Sequence, residues 1–87
     1  MVTSAATGIP GVLKTLDRLG RSEEAQVVSV QGDPALRRRL MEAGFVTGSR
    51  VHFLMATPFG DPLVFSIRGT SIALRKNEAH CVHGRMI

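Results

Sequence analysis

Two groups of residues in this chain have the types and spacing to do chemistry, and the first is His80-Cys81-Val82-His83. On an extended strand alternate side chains share a face, so Cys81 and His83 could both reach one divalent ion, with His52 from another strand as a third ligand. Two ligands two residues apart do not close a site, however, and Cys81 falls in an apolar pattern where a small buried thiol simply packs. No cofactor is therefore required, and the expectation is adventitious zinc or iron on the histidines. The second group is Arg37-Arg38-Arg39, the densest run of charge. Successive helical residues splay by about 100°, so the three cannot form one flat patch, and Glu42 stands where it can pair with Arg38 at i, i+4. The plain expectation is a solvated helix face. The sharper one is a docking helix, because Leu40 and Met41 follow the arginines, and an apolar stripe flanked by guanidinium groups suits an acidic or amphipathic partner segment.

Catalysis finds no support in the remaining residues. There is no Ser-His-Asp or Cys-His arrangement with a nucleophile context, no glycine-rich phosphate loop, and the seven acidic residues are scattered. The chain is read as non-enzymatic. Its formal charge of +4, from 11 basic and 7 acidic residues, permits a nucleic-acid partner. The absence of Trp and Tyr and the presence of only four Phe argue against one, since the stacking platform that single strands require is thin. A single cysteine excludes an internal disulfide, and neither a signal peptide, a spanning helix nor a lipidation signal is recognisable. The expectation is a cytoplasmic protein without direct membrane insertion, and a homo-oligomer remains open.

The elements that must position these residues follow from periodicity. A chain of 87 residues is one domain that buries about 60 to 65% of its unfolded surface. Residues 1–11 are small, polar and Gly/Pro-containing and read as a flexible tail, leaving 12–87 as the single domain. Leu13, Leu16 and Leu19 recur at helical spacing between Pro10 and Gly20, which predicts a short N-terminal helical turn. Ala25–Val30 reads as a strand stopped at Gly32-Asp33. In DPALRRRLMEAG, Asp33 is an N-cap, Pro34 occupies the first helical position, Leu36, Leu40 and Ala43 recur at i, i+4 and i+7, and Gly44 closes the helix in a left-handed conformation. Leu36 and Ala43 are expected to hold the helix to the core, with Leu40 and Met41 at its border. Arg50–Ala56 alternates, with Val51, Phe53 and Met55 on one face. Leu63, Phe65 and Ile67 match Ile72 and Leu74 across a Gly69-Thr70 turn, and Ala79–His83 reads as a last strand. Five short strands and one inserted α-helix predict a mainly β fold, a small closed barrel that hides its edges.

The turn Pro58-Phe59-Gly60-Asp61-Pro62 is pre-shaped, because proline fixes its torsion and glycine tolerates a sharp bend. Phe59 at the tip is either a plug over the barrel's open end or an anchor for a partner, and the shortage of large apolar side chains in a small barrel favours the plug.

The helix with Arg39-Leu40-Met41 leading to Glu42-Ala43-Gly44, the Gly48-Ser49 turn, the Ala56-to-Pro62 entrance and the Arg68-Gly69…Ala73-Leu74-Arg75 hairpin ending at Glu78-Ala79 together resemble the FeoA family. The likeness runs from about Leu16 to Val82. Thr47 departs from the family's usual proline, Thr70 from a position often aromatic, and Cys81 from an aliphatic one. The resemblance implies an SH3-like barrel and an accessory role in bacterial ferrous-iron uptake. The partner it implies is the cytoplasmic part of the membrane iron transporter FeoB; the stripe Leu40-Met41 and the stiff turn Pro58–Pro62 lead us to expect non-covalent binding in a groove between the helix and the Phe59 turn. The candidate contacts are Arg37, Arg38, Arg39, Leu40, Met41, Pro58, Phe59 and Asp61. FeoA-like domains also form the C-terminal module of iron-dependent repressors, so a small regulatory module binding peptide, divalent metal or nucleic acid is the alternative.

Overall fold

In the computed structural model, which describes residues 10–87, the helix begins and ends where its sequence predicts. The Asp33 carboxylate accepts from the Leu36 N–H at 2.9 Å, Pro34 is the first residue of α1 (Pro34–Glu42), and Gly44 has φ +114°. The Gly44 N–H donates to the Met41 carbonyl and the Phe45 N–H to the Leu40 carbonyl, both at 3.0 Å. This paired closure is the Schellman motif, in which a left-handed glycine folds the next residue back onto the helix. Phe45 and Leu40, exposed by 0% and 2%, are thereby packed into the core.

Six strands, one more than expected, make a single antiparallel sheet in the order β1-β6-β2-β3-β4-β5. They are β1 (Leu13–Thr15), β2 (Glu24–Val30), β3 (Arg50–Ala56), β4 (Leu63–Ile67), β5 (Thr70–Leu74) and β6 (Val82–Met86). The fold is mainly β as predicted, but the sheet curls without closing, so β1 and β5 remain edges. A second helix, α2 (Lys76–Ala79), packs against both β5 and the 3-10 turn Leu16–Arg18 and stands between the two ends of the sheet. The core is filled by Leu16, Val27, Leu40, Phe45, Val51, Phe65, Ile67 and Val82 from the sheet, the turns and α1.

Four local expectations are corrected. The N-terminal segment is a strand followed by a 3-10 turn; Leu16 and Leu19 are buried, but Leu13 lies on β1 with 58% exposure. The residues read as a strand from Ala79 to His83 contain the end of α2, and β6 starts only at Val82. The hairpin turn is Arg68-Gly69, since Ile67 pairs with Thr70 and the two turn residues have φ +52° and +80°, the signs a type I′ turn needs. Finally, a bulge between Phe53 and Met55 breaks the alternation of β3. Phe53 still meets Phe65 edge-to-face at 5.8 Å, whereas Met55 is turned outward. Of the tail expected over 1–11, residues 1–9 lie outside the described residues, and the Gly11 N–H donates to the Met86 carbonyl at 2.7 Å.

Two close fits set measurable sensitivities. A Cβ on Gly84 would stand 2.9 Å from the Ala25 Cβ and 3.5 Å from the Gln26 carbonyl, where β6 crosses β2. We expect Gly84→Ala to lower stability by about 1–3 kcal/mol in urea unfolding, because neither neighbour is the free end of a flexible side chain. Glu23, buried at 9% exposure, joins β1 to the following loop: its Oε1 accepts from the Gly20 N–H at 2.7 Å and from Lys14 Nζ at 3.1 Å. Burial disfavours its charge, but the Gly20 N–H and the Lys14 ammonium outweigh this and hold its pKa below the usual glutamate range. A depressed folded pKa stabilises above the unfolded value and is lost as pH falls through the folded one. Unfolding free energy should therefore drop below about pH 4.3, and Glu23→Gln should flatten that drop.

Candidate functional site

The regular spacing of α1 divides its surface into three faces. Leu36, Leu40 and Ala43 face the core. Pro34, Arg37, Arg38 and Met41, at i, i+3, i+4 and i+7, line an open groove of about 590 Å³. Arg39 lies on the third face, where its guanidinium pairs with the Glu78 carboxylate of α2. The run of three arginines is thus split, two to the groove and one to α2, as the splay of consecutive helical residues requires.

The far wall of the groove comes from the strand that enters the helix and the loop that leaves it. Val30 ends β2, and Phe45, Val46 and Thr47 follow the Gly44 turn. Gly44 bends the chain so that Phe45 floors the groove, while Val46 remains 36% exposed at its rim. The loop is fixed to β2 by the Thr47 hydroxyl donating to the Val28 carbonyl at 3.2 Å and the Gly48 N–H donating to the Val27 carbonyl at 2.8 Å. Thr47 therefore secures this turn through its side chain. Met41, with 51% exposure, and Val46 are apolar side chains facing water here, and Arg37 and Arg38 have no acidic partner among the described residues. The expected Arg38–Glu42 pair is not formed.

Leu40, expected at the seam, is instead a core residue and offers no surface. Phe59 is not a plug: it is 95% exposed at the tip of its turn. That turn is held from both sides, by the Gly60 N–H donating to the Thr57 carbonyl at 2.8 Å and the Lys76 N–H donating to the Asp61 carboxylate at 2.9 Å. Pro58 and Asp61 are exposed beside it. The groove does not extend from the helix to this turn, because α2 is bonded to Arg39 on one side and to Asp61 on the other and so lies between them. The two surfaces anticipated as one are separate, and the helix between them is not anticipated by the sequence reading, which places only its last residue, Ala79, in a strand.

The proposed metal ligands do not assemble. Cys81 precedes β6 and donates its thiol to the Asn77 carbonyl at 3.4 Å, His83 on β6 pairs across the sheet with Ser29, and His52 Nε2 lies 3.1 Å from Glu24 on β2. Glu24 and Ser29 are five residues apart on β2, a separation of roughly 16 Å. Among the described residues no three His, Cys, Asp or Glu side chains converge, and the donor set does not fit a bound metal. Cys81 is half-buried, with its sulfur against Gly32 at the entry to α1, where it packs in place of an aliphatic side chain. The third histidine, His80, meets Asp17 at 3.2 Å. Against the opposing pull of burial, the Thr15 hydroxyl and His80 keep the Asp17 carboxyl below its usual pKa. This contact ties α2 to the 3-10 turn.

A small, six-stranded curled antiparallel sheet with one helix inserted after its second strand has the SH3-like architecture. A family model described as the FeoA domain matches residues 14–86, and the chain belongs to that family. The Fe(2+) transport protein A/Fe(2+) transporter FeoB fusion protein of Porphyromonas gingivalis is 29% identical over 72 residues, covering 83% of this chain. This chain spans only 8% of that protein's length. Among solved structures, the Stenotrophomonas maltophilia FeoA, a prokaryotic SH3 domain protein complexed with zinc, is 40% identical over 79% of this chain and 86% of its own, with a TM-score of 0.70. The Chlorobium tepidum FeoA is 35% identical over 85% and 70% of the two chains, with a TM-score of 0.80. A manganese-dependent transcriptional repressor, at 18% identity, shares the fold alone.

The division of α1 into faces can be checked by stability. Leu40→Ala should cost about 2–5 kcal/mol in urea or thermal unfolding, as a buried leucine does. Met41→Ala should change stability by no more than about 0.5 kcal/mol. Similar losses at both positions would contradict this placement.

Proposed function

We propose that this chain is a non-enzymatic, cytoplasmic accessory protein of bacterial ferrous-iron uptake that binds the cytoplasmic part of a FeoB-like transporter. The observation that carries this reading is the Porphyromonas gingivalis relative, in which a segment similar to nearly all of this domain shares one polypeptide with the transporter. Covalent fusion keeps two modules at high effective concentration, an arrangement that suits partners working by direct contact.

The mechanism is a shift of population. Bound to one transporter conformation more tightly than another, the domain biases the equilibrium by that difference in affinity. Two surfaces supply the contacts. In the groove, Met41 and Val46 meet apolar partner side chains over the Phe45 floor, and Arg37 and Arg38 take carboxylates with the bidentate geometry of guanidinium. Beyond α2, Phe59 with Pro58 and Asp61 presents a projecting aromatic of the kind that anchors interfaces once a partner pocket encloses it. No metal is invoked for this role. For the alternative, a repressor-like regulatory module, the support is likeness of fold alone.

The test is calorimetric titration of the full chain into the cytoplasmic region of the transporter from the same organism. Arg37→Glu with Arg38→Glu should weaken binding about tenfold or more and make the remaining affinity less salt-dependent, with folding unchanged. Phe59→Ala should weaken it by a similar factor through faster dissociation. Absence of binding by the native chain, or unchanged affinity in both variants, would reject the reading.

A further inference from the structure

The edge strand β5 carries an interaction that neither the groove nor the Phe59 turn involves. It pairs with β4 on one side only, in an unbroken register from Leu63 with Leu74 to Ile67 with Thr70. Because Ile67 and Thr70 flank a two-residue turn, they form a hydrogen-bonded pair, as do Phe65 with Ile72 and Leu63 with Leu74. The intervening residues, Ser71 and Ala73, therefore point their N–H and C=O groups away from β4, and neither N–H has another backbone partner among the described residues.

Natural edges are commonly blunted by lysine, proline, a bulge or an inward charge. Within β5 there is none: the residues are Thr-Ser-Ile-Ala-Leu, and the exposed Ser71 and Ala73 side chains are small enough to let another backbone approach. Charge sits only at the two ends, in Arg68 and Arg75, both exposed and neither in an ion pair among the described residues.

That arrangement selects the occupant. Antiparallel pairing of β5 with β5 of a second copy would bring Arg68 of each chain towards Arg75 of the other, placing like charges together at both ends. An extended segment bearing carboxylates at its ends meets opposite charges there instead. We propose that the β5 edge is a strand-addition site for an extended, acid-flanked segment of a partner protein, held by the backbone of Ser71 and Ala73 and oriented by Arg68 and Arg75. From Thr70 to Arg75 the edge runs roughly 17 Å, about six extended residues, with Arg68 in the turn just beyond its start.

The probe is a capped synthetic octapeptide of alternating valine and threonine with aspartate at each end, titrated into the full ¹⁵N-labelled chain. Binding should shift the Ser71 and Ala73 amides and slow their hydrogen exchange. Ala73→Pro removes one outward donor without touching the β4 ladder, so the rest of the spectrum should persist while affinity falls about tenfold or more. Arg68→Glu with Arg75→Glu should weaken binding by a similar factor, and a lysine-ended peptide should bind at least about tenfold more weakly. The proposal fails if the acidic peptide does not bind, if Ala73→Pro binds it equally, or if lysine ends do as well. It also fails if sedimentation shows the native chain to self-associate while Ala73→Pro is monomeric, which would make the occupant a second copy. Because no transporter is present, these outcomes are independent of the groove.

Discussion

The left-handed turn at Gly44 is the constraint from which the functional surface follows. An L side chain at φ +114° would be strained, and a Cβ there would also stand 3.2 Å from the Arg68 side chain. With glycine the chain reverses in one residue and carries Phe45 under the helix end, where its N–H satisfies the Leu40 carbonyl. Leu40 and Phe45 then fix the rotation of α1 about its axis. Once that rotation is set, the positions of Arg37, Arg38 and Met41 are no longer free: they must face the channel between the helix and the outgoing loop. Groove and core are thus two consequences of one backbone conformation.

The short helix α2 integrates the remaining parts. It receives Arg39 from α1 at Glu78, caps itself through the Arg75 N–H on the same carboxylate group, engages Asp61 of the Phe59 turn through the Lys76 N–H, and reaches Asp17 through His80. The exposed Arg39–Glu78 pair contributes little by itself, about 0–1 kcal/mol. Ala79, fully buried, and the backbone hydrogen bonds carry more of the docking. The effect is geometric as well as energetic, since one turn of helix links the end of β5 to the 3-10 turn and also lies between two exposed surfaces.

What was legible in the sequence follows the range of the interactions involved. Asp33, Pro34 and Gly44 act on their own backbone or on residues within one turn, so the helix could be placed to within a residue. The alternation Leu63, Phe65, Ile67 was equally clear because all three are buried on one face. The sequence concealed α2, whose lysine, asparagine and glutamate precede an apolar strand and whose only cap is local; Glu78 following Arg75 by three residues was the available signal. Phe59 was misread because composition says only that a small core needs large side chains, whereas a turn fixed at both ends decided that this one points outward. The β3 bulge, likewise, depends on pairing with β4 and leaves no mark in β3 itself. For the site, residue types were identified and their grouping was not: Arg37, Arg38 and Met41 share the groove, but Arg39, Leu40 and the Phe59 turn go elsewhere.

Electrostatics joins the two proposed binding modes without coupling them. Nine of the eleven basic residues are arginine, whose planar fork binds carboxylates in two-point fashion and whose charge persists at any physiological pH. The acidic residues are largely committed internally: Glu23 to Lys14, Glu24 to His52 and Arg50, Glu78 to Arg39, Asp17 to His80, Asp33 to the helix start and Asp61 to α2. The excess guanidinium groups therefore face solvent, at the groove and at the ends of β5. A field of that sign steers acidic segments towards the chain from beyond contact range. Final selection rests on short-range features, an apolar channel in one case and two free backbone donors in the other. Because the groove and the edge share no residues, occupation of one leaves the other's contacts intact, and their binding free energies are expected to add.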